Sequence, residues 1–201
     1  MRLFIALDID DTVRQRIARF LEGVRDFAPA ARWVREESLH VTLKFIGEKP
    51  YAMVPRFEES LSALKKSAFD VTFRGYGFFP TPKSARVFWI GIQSGAELTS
   101  LASAIDDITA RLDVPRETHA FSPHLTLARK SGGSGAPDKQ HSDGRNKAFQ
   151  GLQEKLAAMP APEFGTMTAR EFFLYQSQIS RNGSRYTKLH CFELDPKPSQ
   201  P

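Results

Sequence analysis

Two stretches of this chain run through the same order of elements, and each carries the same polar phrase on a strand. Residues 2–9 (RLFIALDI) read as a strand. Residues 10–27 read as an amphipathic helix with Ile17, Phe20, Leu21, Val24 and Phe27 along one face, and Asp10 or Asp11 stands where an N-cap belongs. Extended pieces follow near Trp33-Val34 and at 39–46, then a helix over 51–67 and a strand over 69–78. The order restarts with a strand at 86–93 (RVFWIGIQ), a helix over 96–112 and a strand at 123–128. A helix near 147–158 and strands at 168–177 and 185–194 complete it, with Asn182-Gly183 suited to a hairpin between those strands. Ile5 and Ile90 are nearly as far apart as His40 and His124, so the phrases sit at equivalent points of an internal duplication. A pseudo-twofold arrangement brings equivalent strands together and turns the two histidines toward each other.

The repeated phrase is His40-Val41-Thr42-Leu43 and His124-Leu125-Thr126-Leu127. Side chains alternate along a strand, so each histidine shares a face with the threonine two positions on, while the apolar neighbours enter the core. A lone histidine on a strand is more often structural than catalytic. The chain has only five histidines, however, and a duplication serving the core alone would repeat apolar residues on this face rather than polar ones. Two imidazoles and two hydroxyls in one cleft suit proton transfer at a phosphate, one ring neutral and taking a proton, the other charged and giving one. Arg129 offers a planar cation for phosphate oxygens, but strict alternation from His124 puts it on the opposite face, so this role needs the strand to end or bulge. Lys44 shares parity with His40 and Thr42 and is a candidate to lend charge to the groove. Trp33 and Phe45 are candidates to stack on a base, although parity sends Phe45 into the core with Val41 and Leu43. A zinc site would need a third ligand that neither phrase supplies, so no metal is expected. His119, His141 and His190 read as surface or locally bonded residues.

Composition limits the alternatives. At 201 residues with 16 phenylalanines, the chain can bury a large core without disulfides or metal. Its one cysteine, Cys191, reads as a small buried strand residue and excludes an internal disulfide. The apolar run at the N-terminus is short and soon followed by Asp8, and no stretch reaches the length of a membrane span. The expectation is a cytoplasmic protein without membrane contact. A net charge of +5 is compatible with a polyanionic partner, but no dense Lys/Arg block concentrates it. Residues 131–146 (SGGSGAPDKQHSDGRN) are Gly- and Ser-rich and nearly free of apolar side chains. They read as a flexible insertion in the second half, and 196–201 as a disordered tail.

The segments SLHVTLKFIGE (38–48) and FSPHLTLARK (121–130) resemble the paired His-x-Thr motifs of the 2H phosphoesterase superfamily, and within it the bacterial RNA 2′,3′-cyclic phosphodiesterases once called 2′-5′ RNA ligases. RLFIALDI, Arg32-Trp33-Val34 and Arg86-Val87-Phe88-Trp89 extend the likeness to about residue 194. The resemblance implies an α/β fold of the α+β type. It would be a single bilobal domain over 1–195, with pseudo-twofold duplicated sheets, helices outside and a central groove carrying the two motifs. It also implies hydrolysis of RNA 2′,3′-cyclic phosphate ends, or of small cyclic nucleotides, to 2′-phosphates without metal or cofactor. His40 would be the proton donor and His124 the proton acceptor, with Thr42, Thr126 and Arg129 on the phosphate. The reverse reaction, 2′-5′ ligation, and a non-catalytic nucleotide- or RNA-binding module are the alternatives. A monomer without an obligate protein partner is the default.

Overall fold

The computed structural model describes residues 1–131, 147–180 and 183–197. The expected insertion, from residue 132 onward, and Asn182 of the expected hairpin turn lie outside the described residues. The central strand β1 (Arg2–Asp8) is buried on both faces, which is why it reads as an apolar run. Leu3, Ile5 and Leu7 enter the main core, whereas Phe4 and Ala6 form a second cluster with Phe173 and Tyr175. Helix α1 (Asp11–Val24) starts at Asp10, whose carboxylate accepts from the Val13 amide at 2.7 Å. It buries Ile17, Leu21 and Val24 of the expected stripe and adds Val13, but it ends earlier than expected: Phe27 lies in a following 3₁₀ turn and is exposed, and Phe20 is only partly buried.

The remaining elements, in chain order, are β2 (Ala31–Trp33), β3 (His40–Glu48), α2 (Val54–Ser62), β4 (Phe69–Phe79) and β5 (Val87–Ser94). Then come α3 (Ala96–Ala110), β6 (His124–Lys130), α4 (Gln150–Ala157), β7 (Glu163–Ala169), β8 (Glu171–Ser180) and β9 (Gly183–Glu193). They build a four-stranded sheet ordered β3-β1-β8-β9 and a five-stranded sheet ordered β2-β6-β5-β4-β7. The duplication is visible in the shared order β3-β1-β8-β9 and β6-β5-β4-β7, with β2 added beyond β6.

The halves do not form one sheet each. β4, from the first half, pairs with β5, and β8, from the second half, pairs with β1. The helices cross over as well, α1 lying against β7 and α3 against β3. Each lobe is therefore closed by segments from the other half of the chain, and the main core runs continuously through both.

Several local expectations are corrected. The helix expected over 51–67 is shorter: Tyr51–Met53 form a 3₁₀ turn, and the α-helix begins at Val54 with Pro55 in its first turn, where a missing N–H leaves no bond unmade. Strand β7 was not anticipated, because Gly165 at φ +104° interrupts its apolar alternation. Cys191 is exposed on β9, the edge strand of its sheet, with Sγ 3.2 Å from a Glu171 carboxylate oxygen. Partial desolvation against the sheet and that carboxylate push its thiol pKa up to about 11. Lys197, assigned to the tail, pairs with Asp70 at 2.7 Å.

Lys44 is the largest departure. It is 2% exposed, turned away from the groove, and buried between α3 and the segment leading into β6. Its ammonium donates to Asp106 Oδ1 at 2.6 Å and to the Pro115 carbonyl at 2.7 Å, and lies 3.0 Å from Glu117 Oε1. A buried cation is tolerated only when its donors are met, and here they are met by three groups from the other half of the chain. Lys44 therefore ties the strand of the first motif to the approach of the second. Lys44→Met is expected to lower the unfolding free energy by about 3 kcal/mol, read as a lower urea midpoint with an unchanged m-value. An unchanged midpoint would show that the buried pair contributes nothing net.

Candidate active site

β3 and β6 run against each other where the two sheets meet. His40 and Thr42 share one face of β3, and His124 and Thr126 the equivalent face of β6, each half-buried while the residue between them is fully buried. The structure brings together all four motif side chains named from the sequence. It adds a backbone device to each. The Nδ1–H of His40 donates to the Ser38 carbonyl at 2.7 Å, and that of His124 to the Ser122 carbonyl at 2.7 Å. A carbonyl only accepts, so Nδ1 carries the hydrogen in both rings and Nε2 is left for the groove. The sequence signal was available, since both phrases read Ser-x-His-x-Thr.

Immediately after each threonine the strand bulges. Along β1 the partners run Ala6↔Thr42 and then Ile5↔Lys44, passing over Leu43. Along β5 they run Trp89↔Thr126 and then Phe88↔Ala128, passing over Leu127. An extra residue reverses the parity of everything beyond it. Leu43 and Lys44 are consequently both buried, as are Leu127 and Ala128. Arg129 thereby returns to the histidine face, and its charge acts on both imidazoles. The same shift corrects the expectation for Phe45. It is 54% exposed on the groove side, 6.2 Å from the Phe4 ring, at the position equivalent to Arg129. These ladders also make Leu7, not Ile5, the equivalent of Ile90.

The surroundings of the two histidines differ. His40 rests on an aromatic floor, with Phe4 at 4.9 Å and the Tyr186 ring edge-on at 5.1 Å. Beside it opens a cleft of about 210 Å³, lined among others by Asp8, Ser38, Tyr175, Tyr186 and Lys188. None of these five was singled out from the sequence. Tyr175, Tyr186 and Lys188 come from strands distant in the chain, whereas Ser38 belongs to the repeated Ser-x-His-x-Thr phrase and Asp8, an acid ending an apolar strand, left a local signal. Burial raises the Tyr175 hydroxyl pKa well above its usual value, so this tyrosine stays a neutral hydrogen-bonding group. His124 is flanked instead by Phe79, edge-on at 5.0 Å, and by Trp89 at 6.2 Å. The Trp89 indole stacks on Phe79 and lies across Gly77, where any Cβ would come within 2.1 Å of it. Trp33 does not face this groove: its indole N–H donates to the Ala28 carbonyl at 3.2 Å, and its ring packs edge-on against Phe88. His119 and His190 are engaged elsewhere, with Thr118 and with Phe192 and Glu58. His141 lies outside the described residues.

Burial lowers the pKa of both His40 and His124 below the ordinary 6.5. The serine carbonyls, which hold an N–H in place, pull the other way, and Arg129 adds to the lowering at both.

Two antiparallel sheets meeting at a pair of His-x-Thr strands, with an arginine at one of them, define a two-histidine phosphoesterase. The comparisons agree. Residues 7–89 match the family model described as LigT like Phosphoesterase. The RNA 2′,3′-cyclic phosphodiesterase of Archaeoglobus fulgidus is 33% identical over 193 residues, covering 96% of this chain and all of that protein. Its Escherichia coli namesake is 27% identical over 96% of each chain. Among solved structures, a Thermus thermophilus protein superposes with a TM-score of 0.75 at 26% identity, over 98% of this chain and 100% of that one. Escherichia coli LigT complexed with 3′-AMP gives 0.74 at 26%, over 96% and 97%. The chain belongs to the LigT-like phosphoesterase family.

The lowered pKa values fix how stability depends on pH. Between the folded values and 6.5 the unfolded chain binds more protons than the native one, so stability rises with pH through that window and this contribution levels off above it. Urea denaturation of wild type from pH 5 upward is expected to show this rise, and a His40→Gln/His124→Gln variant to lack that part of it. Parallel curves for the two proteins would contradict burial as the cause.

Proposed function

We propose that this chain hydrolyses RNA 2′,3′-cyclic phosphate ends to 2′-phosphate ends through His40 and His124, without a metal ion. The observation that carries the reading is the matched pair of imidazoles. Each is held by an Nδ1–H to the carbonyl two residues back, each leaves Nε2 for one groove, and each is accompanied by a threonine on the same face. In-line displacement puts the attacking and leaving oxygens on opposite sides of phosphorus, which two strands meeting across a groove can serve from either side.

His124 takes a proton from water as its oxygen bonds to phosphorus. The bond from phosphorus to the 3′ oxygen breaks, and His40 gives that oxygen its proton. One water is consumed, the phosphate stays on the 2′ oxygen, and solvent returns both rings to their starting states. Thr42, Thr126 and Arg129 hold the non-bridging oxygens, the arginine through a charge-assisted fork. With the 3′ oxygen at His40, the ribose and its base lie on that side, where the cleft beside Tyr175, Tyr186 and Lys188 has room for them. Phe45, exposed on the same side, adds a flat surface for a base. RNA ends, or small cyclic nucleotides, are the partners in this reading, and the setting is a cytoplasmic monomer. No described helix is long and apolar enough to cross a membrane.

The test is an oligonucleotide ending in a 2′,3′-cyclic phosphate, incubated in excess EDTA, with the product phosphate mapped. Full turnover to the 2′-phosphate is expected, with a bell-shaped pH profile of kcat/KM. His40→Ala and His124→Ala should each fall by about 100-fold or more. Dependence on added metal, or unchanged turnover in both variants, would overturn the mechanism. Tight binding without turnover would favour a binding module.

A further inference from the structure

The two motif strands are so alike that neither reveals which imidazole begins with the proton. The difference lies one strand away. On β1 the residue directly across the ladder from His40 is Asp8, whereas on β5 the residue across from His124 is Gly91. Residues paired in this way share a face, with Cβ atoms roughly 5 Å apart. Gly91 leaves no place for an equivalent acid, since a Cβ there would lie 2.5 Å from the Arg74 carbonyl oxygen.

The Asp8 carboxylate is also built in. Oδ1 accepts from Arg14 Nη2 at 2.7 Å and from the Ile9 amide at 2.8 Å, and Oδ2 from Lys188 Nζ at 2.5 Å. Burial works to raise its pKa, but the lysine, the amide and the arginine outweigh it and hold the value below the usual carboxylate range. Asp8 is thus an anion throughout the range in which a histidine titrates.

The charges around His40 can be named element by element. Asp8 on β1 favours the charged ring, while Arg129 and His124 on β6 disfavour it. Glu37 in the preceding turn, Tyr175 on β8, and Tyr186 and Lys188 on β9 line the same cleft, and Arg14 on α1 reaches Asp8 from behind. Around His124 the neighbouring rings of Phe79 and Trp89 are uncharged, and Arg129 disfavours the charged form.

We propose that Asp8 is the positioning residue that sets the direction of proton flow. Its carboxylate offsets part of the burial and of the Arg129 repulsion that disfavour a charged His40, so that the proton resides there in preference to His124 and His40 is the donor to the leaving oxygen. His124, opposite a glycine, stays neutral and takes the proton of water. This rests on the hydrolase reading above and assigns its two roles from the residues of this chain.

The experiment follows the imidazole 15N and 1H signals of wild type, Asp8→Asn and Asp8→Glu against pH, with His119 and His190 as internal references. The same proteins are assayed for kcat and kcat/KM on a 2′,3′-cyclic mononucleotide. In Asp8→Asn the His40 midpoint is expected to fall by about one pH unit while that of His124 holds. The alkaline limb of the rate profile should move with it, which lowers the rate on that limb about tenfold. Asp8→Glu, which keeps the charge, should recover the limb. A His40 midpoint that does not move overturns the inference alone, as does a rate loss in Asp8→Asn that is uniform with pH, the result of a merely structural link to Arg14 and Lys188. Absence of wild-type turnover overturns the hydrolase reading and this inference with it.

Discussion

The site depends on the residue inserted just after the threonine in each motif strand. Leu43 and Leu127 are passed over in their ladders, and the side chains that follow directly change face. Without the second bulge Arg129 would enter the core that Ala128 now occupies, and the groove would lose its cation. Without the first, Phe45 would be buried and Lys44 would face the groove, unable to reach Asp106. A bulge disrupts local pairing, so it persists because both outcomes of the parity change are favourable. A small or fully paired residue goes inward, and a side chain with a surface role goes outward. The motif is therefore a strand segment with a built-in change of face.

The exchange of strands between the halves explains why such a site can be rigid. Two lobes joined only by a linker would let the histidines drift apart, because interfaces of that kind permit relative motion. Here β4 and β8 have crossed to the opposite sheet, α1 and α3 pack across the boundary, and the core does not divide. The Lys44 contacts to Asp106, Glu117 and Pro115 then join β3 to the segment that delivers His124. Proton transfer tolerates little error in distance, and this interlocking holds the two imidazoles on one frame.

Alternation by two is read easily from sequence, and it placed His40, Thr42, His124 and Thr126 on their faces. It fails wherever a ladder skips, because a bulge depends on what the partner strand offers and leaves no periodic mark. Phe45 and Lys44 were inverted for that reason, and Arg129 was anticipated only on the condition of a bulge. Cys191 was misread because edge and central strands share composition, and the edge is decided by chain order in space. Trp33 looked like a free aromatic beside the motif, but β2 pairs with β6 and turns the indole onto Phe88. Asp8 was present in the sequence as the polar end of an apolar strand, and its meaning required knowing what stands across from it.

A duplicated site poses a chemical problem that duplication cannot solve. Copying one strand gives two equal imidazoles, whereas displacement at phosphorus needs one that gives a proton and one that takes it. The motif strands remain nearly identical down to the serine carbonyls, and divergence is concentrated on their neighbours. Ala6 and Asp8 stand where the other lobe has Trp89 and Gly91. The small alanine makes room for the aromatic floor under His40, and the aspartate supplies charge. The tryptophan fills the equivalent space beside His124, and the glycine excludes charge there. Asymmetry placed on the adjoining strands adjusts the field at each ring without altering the ring's own anchoring, which is what the proposed division into an acid and a base requires of two rings sharing one geometry.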